Sequence, residues 1–248
     1  MIPLLRAELI KLRTTRTFLA LSGAAIATSL LTVVLTALLE EPTADQVLSD
    51  VFTSDTSTLF ILVLAIVGIS GEWRHRTITS SLLASPDRLR FLAAKAIAFA
   101  AAGLLLSLAV SLAISVVGYV ILSSRELPTP EMGELAGQVL RNAFLAALMG
   151  GFGVGLGAVV RNQPVAIVGV LLFSFVLEPL LGSLAGEVAR FGPFTGLPLA
   201  IQGIPAEEFG FEEGTELLAA GVATIAMLAW IGAFFAAGYT LLRLRDVE

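Results

Sequence analysis

Six stretches of this chain are apolar for so long that no soluble fold of its size has room to bury them. A helix needs about 20 mostly apolar residues to cross the roughly 30 Å hydrocarbon core of a bilayer. Phe18–Leu39, Phe52–Ser70, Phe91–Leu122, Val139–Val160, Pro164–Leu184 and Leu217–Leu242 meet or nearly meet that length. Of 248 residues, 56% are hydrophobic and 14% charged, against about 45–50% and about 25% in an ordinary soluble domain. That balance argues against a soluble enzyme, a disordered chain and a nucleic-acid binder. Runs such as Leu59–Ile69 and Leu104–Ile121 do not alternate as the strands of a membrane barrel must. The pattern predicts an all-α integral membrane protein, a single transmembrane domain over 1–248 with six spans.

The charges orient it. Eleven of the fifteen Lys and Arg residues lie before span 1, between spans 2 and 3, between spans 4 and 5, or after span 6, and Lys95 in the first turns of span 3 makes twelve on that side. Fifteen of the twenty acids lie on the other side. By the positive-inside rule both termini are expected in the cytoplasm. The first apolar segment is longer than a signal-peptide core and is expected to be retained as a span.

Three segments are not spans. Ile2–Thr17 carries Ile2, Leu5, Leu9 and Leu12 at helical spacing, flanked by Arg6, Arg13 and Arg16. It reads as a helix lying in the inner headgroup layer. The loop 71–90 holds a short helix candidate over Thr77–Ala84, stopped at Ser85-Pro86. Pro86 is then expected to open the long third helix, with Asp87 in its first turn. The outer piece 188–204, broken by Gly192, Pro193, Gly196 and Pro198, reads as a re-entrant hairpin.

Enzymatic chemistry has little to stand on. There is no cysteine, and His75 is the single histidine, so neither a thiolate nor a histidine metal cluster can form within one chain. The glycines Gly150, Gly151, Gly153, Gly155 and Gly157 sit inside span 4 without a following Gly-Lys-Ser/Thr. They read as close helix packing, not a nucleotide loop. Span interiors look nearly free of charge. Asp55, Arg141 and Glu178 fall near outer span ends, with Glu178 the deepest candidate. An ion-coupled transporter, which keeps ionisable groups at mid-membrane, is therefore the runner-up, and a non-transporting partner in signalling or toxin immunity a third reading.

Gly71-Glu72-Trp73-Arg74, then Thr77, Leu82-Leu83, Pro86, Arg88 and Lys95, resembles the first cytoplasmic loop of ABC-2-type permeases, the membrane subunits of ATP-binding-cassette exporters. The N-terminal LLRAELIKLRTTRTFLAL resembles their amphipathic elbow helix. The resemblance implies a permease in the cell membrane of a prokaryote, paired with a second copy or a paralogue. Each subunit would dock a separate cytoplasmic ATPase holding ATP and Mg, with no cofactor in this chain. Thr77–Ala84 would be the coupling helix, and Leu5, Leu9 and Leu12 of the elbow would rest near it. Ile78, Leu82 and Leu83 would make its apolar contact with the ATPase. Glu72 is expected to fix the loop by pairing with Arg74 and Arg76, with Arg88 in the same coupling set. Spans 2 and 5 would line the path, and the hairpin would cap its outer mouth. A hydrophobic or amphipathic exported cargo is expected.

Overall fold

The computed structural model describes residues 2–44, 46–75, 77–79, 83, 87–160 and 162–244. Among them there is no strand, and six helical stretches are long and apolar enough to cross a membrane. Helix α1 (Ile2–Thr14) is followed by α2 (Arg16–Leu39), α3 (Val47–Phe52), α4 (Ser57–Arg74), α5 (Arg88–Ser124) and α6 (Met132–Val159). The fifth span comprises α7 (Gln163–Leu172), a π-helical turn Phe173–Leu177 and α8 (Glu178–Leu184). Two short helices, α9 (Gly186–Ala189) and α10 (Gly196–Gln202), precede the last span, α11 (Ala220–Leu244).

Local chemistry sets the boundaries. Asp87 is the N-cap of α5, its carboxylate accepting the N–H groups of Leu89 and Arg90. The third span thus starts at Arg88 and not at Pro86, which lies outside the described residues. At 37 residues it runs about 55 Å at 1.5 Å per residue. A capping box of Glu131 and Glu134 opens α6 seven residues ahead of the expected Val139. Arg125, in the turn after α5, donates to the carbonyls of Ala37 and Glu40, meeting acceptors left open at the end of α2.

Helix α6 is the hub. Of its apolar stretch 83% is buried, against 11% for α11 and 17% for α2, so those two present mostly apolar surface outward. The glycines explain how α6 comes so close to its neighbours. A Cβ on Gly150 would meet the Phe99 carbonyl at 2.4 Å, one on Gly153 the Leu62 carbonyl at 2.7 Å, and one on Gly157 the Ile69 side chain at 2.5 Å. Their absence lets α4 and α5 pack backbone against backbone on α6, as the sequence pattern predicts.

The second span differs most from expectation. In the sequence its apolar run begins at Phe52, which puts Thr53–Thr58 at the edge. In the structure α3 precedes that polar stretch, so residues 53–56 interrupt the span. The break is held by α2. Thr56 N–H donates to Ser29 Oγ at 3.0 Å, and the Thr56 hydroxyl lies 2.9 Å from those of both Thr28 and Ser29. Ser29 lies near the midpoint of α2, so the break packs against the middle of that helix.

Candidate functional site

At the end of the bundle where α1 and the last turn of α11 lie, four charged side chains from three helices converge. Lys95, on the first turns of α5, is 2% exposed. Its Nζ lies 2.7 Å from Glu8 Oε2 of α1, 2.7 Å from Glu72 Oε1 of α4 and 3.3 Å from the Gly68 carbonyl. An ammonium has three donors, and three acceptors surround it. Lys11 closes the cluster from the half-exposed side, at 2.7 Å from Glu8 and 3.3 Å from Glu72. The result ties α1, the end of α4 and the start of α5 into one unit.

The electrostatics of α1 follow from this geometry. Burial pushes the Glu8 carboxyl up, but the Lys95 charge and the hydrogen bonds from Lys11 and Lys95 outweigh it, leaving the group below its ordinary range. Burial pushes Lys11 down, and its hydrogen bond to Glu8 with the charges of Glu72 and Glu8 more than offsets that, so its ammonium is held above its ordinary value.

The expected partners of Glu72 are not the observed ones. Arg74 is exposed and forms no ion pair among the described residues, and Arg76 lies outside them. Residues two apart on a helix do not share a face, so Arg74 points away while Lys95 crosses from α5. Thr77 N–H donates to the Glu72 carbonyl at 2.9 Å and turns the chain back, burying Ile78 to 2% exposure. Ile78 therefore packs inside its own chain and is not free to meet a partner. Leu83 is 78% exposed, while Leu82 and Ala84 lie outside the described residues. Of the expected helix 77–84, Ile78, Thr79 and Leu83 are helical and Thr77 is not. Arg88 donates to the Leu242 carbonyl, tying the start of α5 to the end of α11.

On α1 the face turned to the bundle is Leu5, Glu8 and Leu12, with Leu12 in the main core. Leu9 is 40% exposed and Ile2 81%, so the apolar stripe looks partly outward. A cavity of about 780 Å³ opens at this end, bordered by Glu8, Lys11, Glu72, His75, Thr77 and Lys95.

A second polar cluster lies deeper. Asp55, in the break of the second span, is 4% exposed. Its Oδ1 accepts from Ser57 N–H at 2.8 Å, and its Oδ2 from the hydroxyls of Ser107 and, at 2.7 Å, Ser111. Asn142 of α6 donates to Ser111 Oγ and accepts from Gln138 and Gln202. Ser107 and Ser111 lie in the middle third of α5, so Asp55 is buried inside the bundle against that helix. A serine in a long apolar run is weak evidence alone. Ser107 and Ser111 at i and i+4 on one face were the available signal.

Glu178 is buried at 2% exposure, and both its oxygens accept the Phe194 N–H at 3.1 Å. It fastens the segment between α9 and α10, and every residue of α10 is buried. A Cβ at Gly192 would come within 2.6 Å of Glu178 Oε1, which is why the approach needs glycine there. Among the described residues no group of His, Cys, Asp or Glu is arranged to hold a metal ion.

In comparison with known proteins, the chain matches no protein-family model and no curated protein. Fold and geometry define a helical chain with six stretches long and apolar enough to cross a membrane, an ion-paired junction at one end and a carboxylate buried in the break before α4.

Proposed function

We propose that this chain is the membrane-spanning subunit of an ATP-binding-cassette exporter of the ABC-2 type, working with a second copy or a paralogue and driven by a separate ATPase that holds ATP and Mg. The observation that carries this reading is the Glu8–Lys95–Glu72 junction. Helix α4 ends and α5 begins at that junction, so a partner pressing on the chain between them would move α1, α4 and α5 together. Through Arg88 the displacement would also reach α11. In this reading the end with both termini is cytoplasmic and α1 is the elbow helix. Its exposed Ile2, Leu9 and Ile10 meet lipid, and Arg6, Arg13 and Arg16 meet headgroups. The outward faces of α2, the fifth span and α11 contact lipid or the second subunit. Leu83 is the apolar side chain offered to the ATPase. Two bundles then rock between inward- and outward-open states.

The test is gentle purification of the tagged chain from native membranes. A stoichiometric Walker-motif ATPase is expected, and Leu83→Asp should abolish stimulation of its ATPase activity while the membrane part still assembles. Recovery of the chain alone, with oligomers intact in the detergent used, would overturn the proposal.

Asp55 supports a second reading. A carboxylate buried within a spanning stretch is what an ion-coupled carrier uses. Uptake into vesicles driven by a proton gradient without ATP would favour it, and ATP-dependent transport without a gradient would favour the exporter.

A further inference from the structure

Beside Asp55 lies a cavity of about 330 Å³, between α4, α6, the fifth span and the hairpin. That is within the range of small-molecule pockets. Its wall is mixed: Asp55, Thr58 and Gln202 are polar, while Leu59, Met149 and Phe175 are apolar. We propose that this cavity is a cargo site for a lipophilic organic cation, an onium head held by the Asp55 charge with its apolar body against Leu59, Met149 and Phe175. The inference rests on the chain being a transporter and adds the class of cargo.

Three observations carry it. The first is unbalanced charge. At the junction near the termini each buried carboxylate has a lysine, but Asp55 has no ion pair among the described residues. Three neutral donors orient its oxygens without cancelling the charge, and a buried carboxylate without a counter-ion is costly. The second is position. The residue sits where a span is interrupted, and interrupted spans are where carriers place binding groups. Ser57 Oγ, at the start of α4, is buried without a hydrogen-bond partner, so the polar groups of the break are incompletely satisfied.

The third is the nature of the vacant interaction. A carboxylate offers about four lone-pair sites, and Ser57, Ser107 and Ser111 already use three. Asp55 can therefore supply charge but little further directional bonding. That suits a quaternary or tertiary onium, which carries one positive charge and at most one donor. It suits a primary ammonium or a guanidinium poorly. The rings of Phe175 and Phe194 on the same wall add faces that attract such a cation.

The test is equilibrium binding of radiolabelled tetraphenylphosphonium to the purified full chain in lipid nanodiscs, with no ATPase or ATP present. Saturable binding is expected, and uncharged tetraphenylmethane, of similar shape, should not compete. Asp55→Asn should weaken binding about tenfold or more, the scale expected for losing a desolvated charge interaction. Ser174→Trp, on the half-exposed lip, should block the cavity while leaving Asp55 and its donors intact. It decides the matter if Asp55→Asn fails to assemble. No saturable binding, equal competition by tetraphenylmethane, or unchanged binding in well-assembled Ser174→Trp would each overturn the proposal. ATPase co-purification is scored on a separate preparation, so failure of the cation site and failure of the exporter reading give different results.

Discussion

Replacing Lys95 with Met tests whether the junction at the base of the bundle is held by charge or by packing. Methionine keeps most of the length of this side chain, which is 2% exposed, and deletes the ammonium, whose Nζ lies 5.4 Å from the Phe91 ring centroid. Glu8 and Glu72, each with a side chain 9% exposed, are then left facing one another. Removing one partner of a buried pair costs about 3–5 kcal/mol. Lys11 remains, but its side chain is 51% exposed, and an exposed pair returns only about 0.2–1 kcal/mol. The net expectation is a loss of about 2–4 kcal/mol. Adding Glu8→Gln and Glu72→Gln removes the stranded charges, so the triple variant should be more stable than Lys95→Met alone. The assay is equilibrium unfolding in mixed micelles, followed by tryptophan fluorescence, since Trp73 adjoins Glu72. A loss below about 1 kcal/mol, the range of an exposed pair, or no recovery in the triple variant would refute the charge argument and leave α1 held by Leu5 and Leu12 alone.

Other outcomes follow from the same geometry. The Glu8 carboxyl is held low, so its contribution is complete above about pH 4.3, the ordinary glutamate value, and is lost as pH falls through the lower value in the fold. The Lys11 ammonium is held high, so its contribution is complete below about pH 10.4 and is lost as pH rises through the higher folded value. Cross-linking of α1 to α5 should thus be flat between these limits and fall outside them, and a fall near pH 7 would contradict the assignment. Gly153→Ala places a Cβ 2.7 Å from the Leu62 carbonyl and should cost about 1–3 kcal/mol by overpacking. Gly151→Ala meets nothing within 4 Å and should be neutral or stabilising, so thermal unfolding that ranks the two alike would undo the packing account. Glu178→Ala should release the Phe194 N–H, cost about 1–3 kcal/mol and speed proteolysis of the hairpin between α9 and α10. Unchanged cleavage would mean that the buried face of α10 holds the hairpin without Glu178.

The long elements were legible because their cause is local. A run such as Leu104–Ile121 must satisfy its own backbone in lipid, and a helix does so from within the segment. The six spans, the α1 helix and the close packing at Gly150, Gly153 and Gly157 all follow from the order of residues along the chain. The ends were less legible. Met132–Glu134 is no more apolar than a loop, and what extends α6 back to it is the reciprocal bonding of Glu131 and Glu134. At the candidate site the sequence names Glu72, Arg74, Arg76, Thr77, Ile78, Leu82, Leu83 and Arg88 as one group, and the structure disperses those of them that it describes. Ile78 turns in, Leu83 turns out, and Arg88 reaches α11.

Partnership across distance belonged to the tertiary structure. Glu72 pairs with Lys95 and with Glu8's neighbour Lys11, not with the nearby arginine, because a helix sends positions two apart to different faces while packing brings α1 and α5 to α4. Asp55 likewise has no sequence neighbour that marks it as buried. Its burial depends on α3 lying ahead of it in the same span, on Ser29 of α2 holding the break, and on Ser107 and Ser111 arriving from α5. Hydropathy is a property of each segment and is written in composition. Ion pairing and burial of a polar group depend on which segments become neighbours, and only the packed bundle decides that.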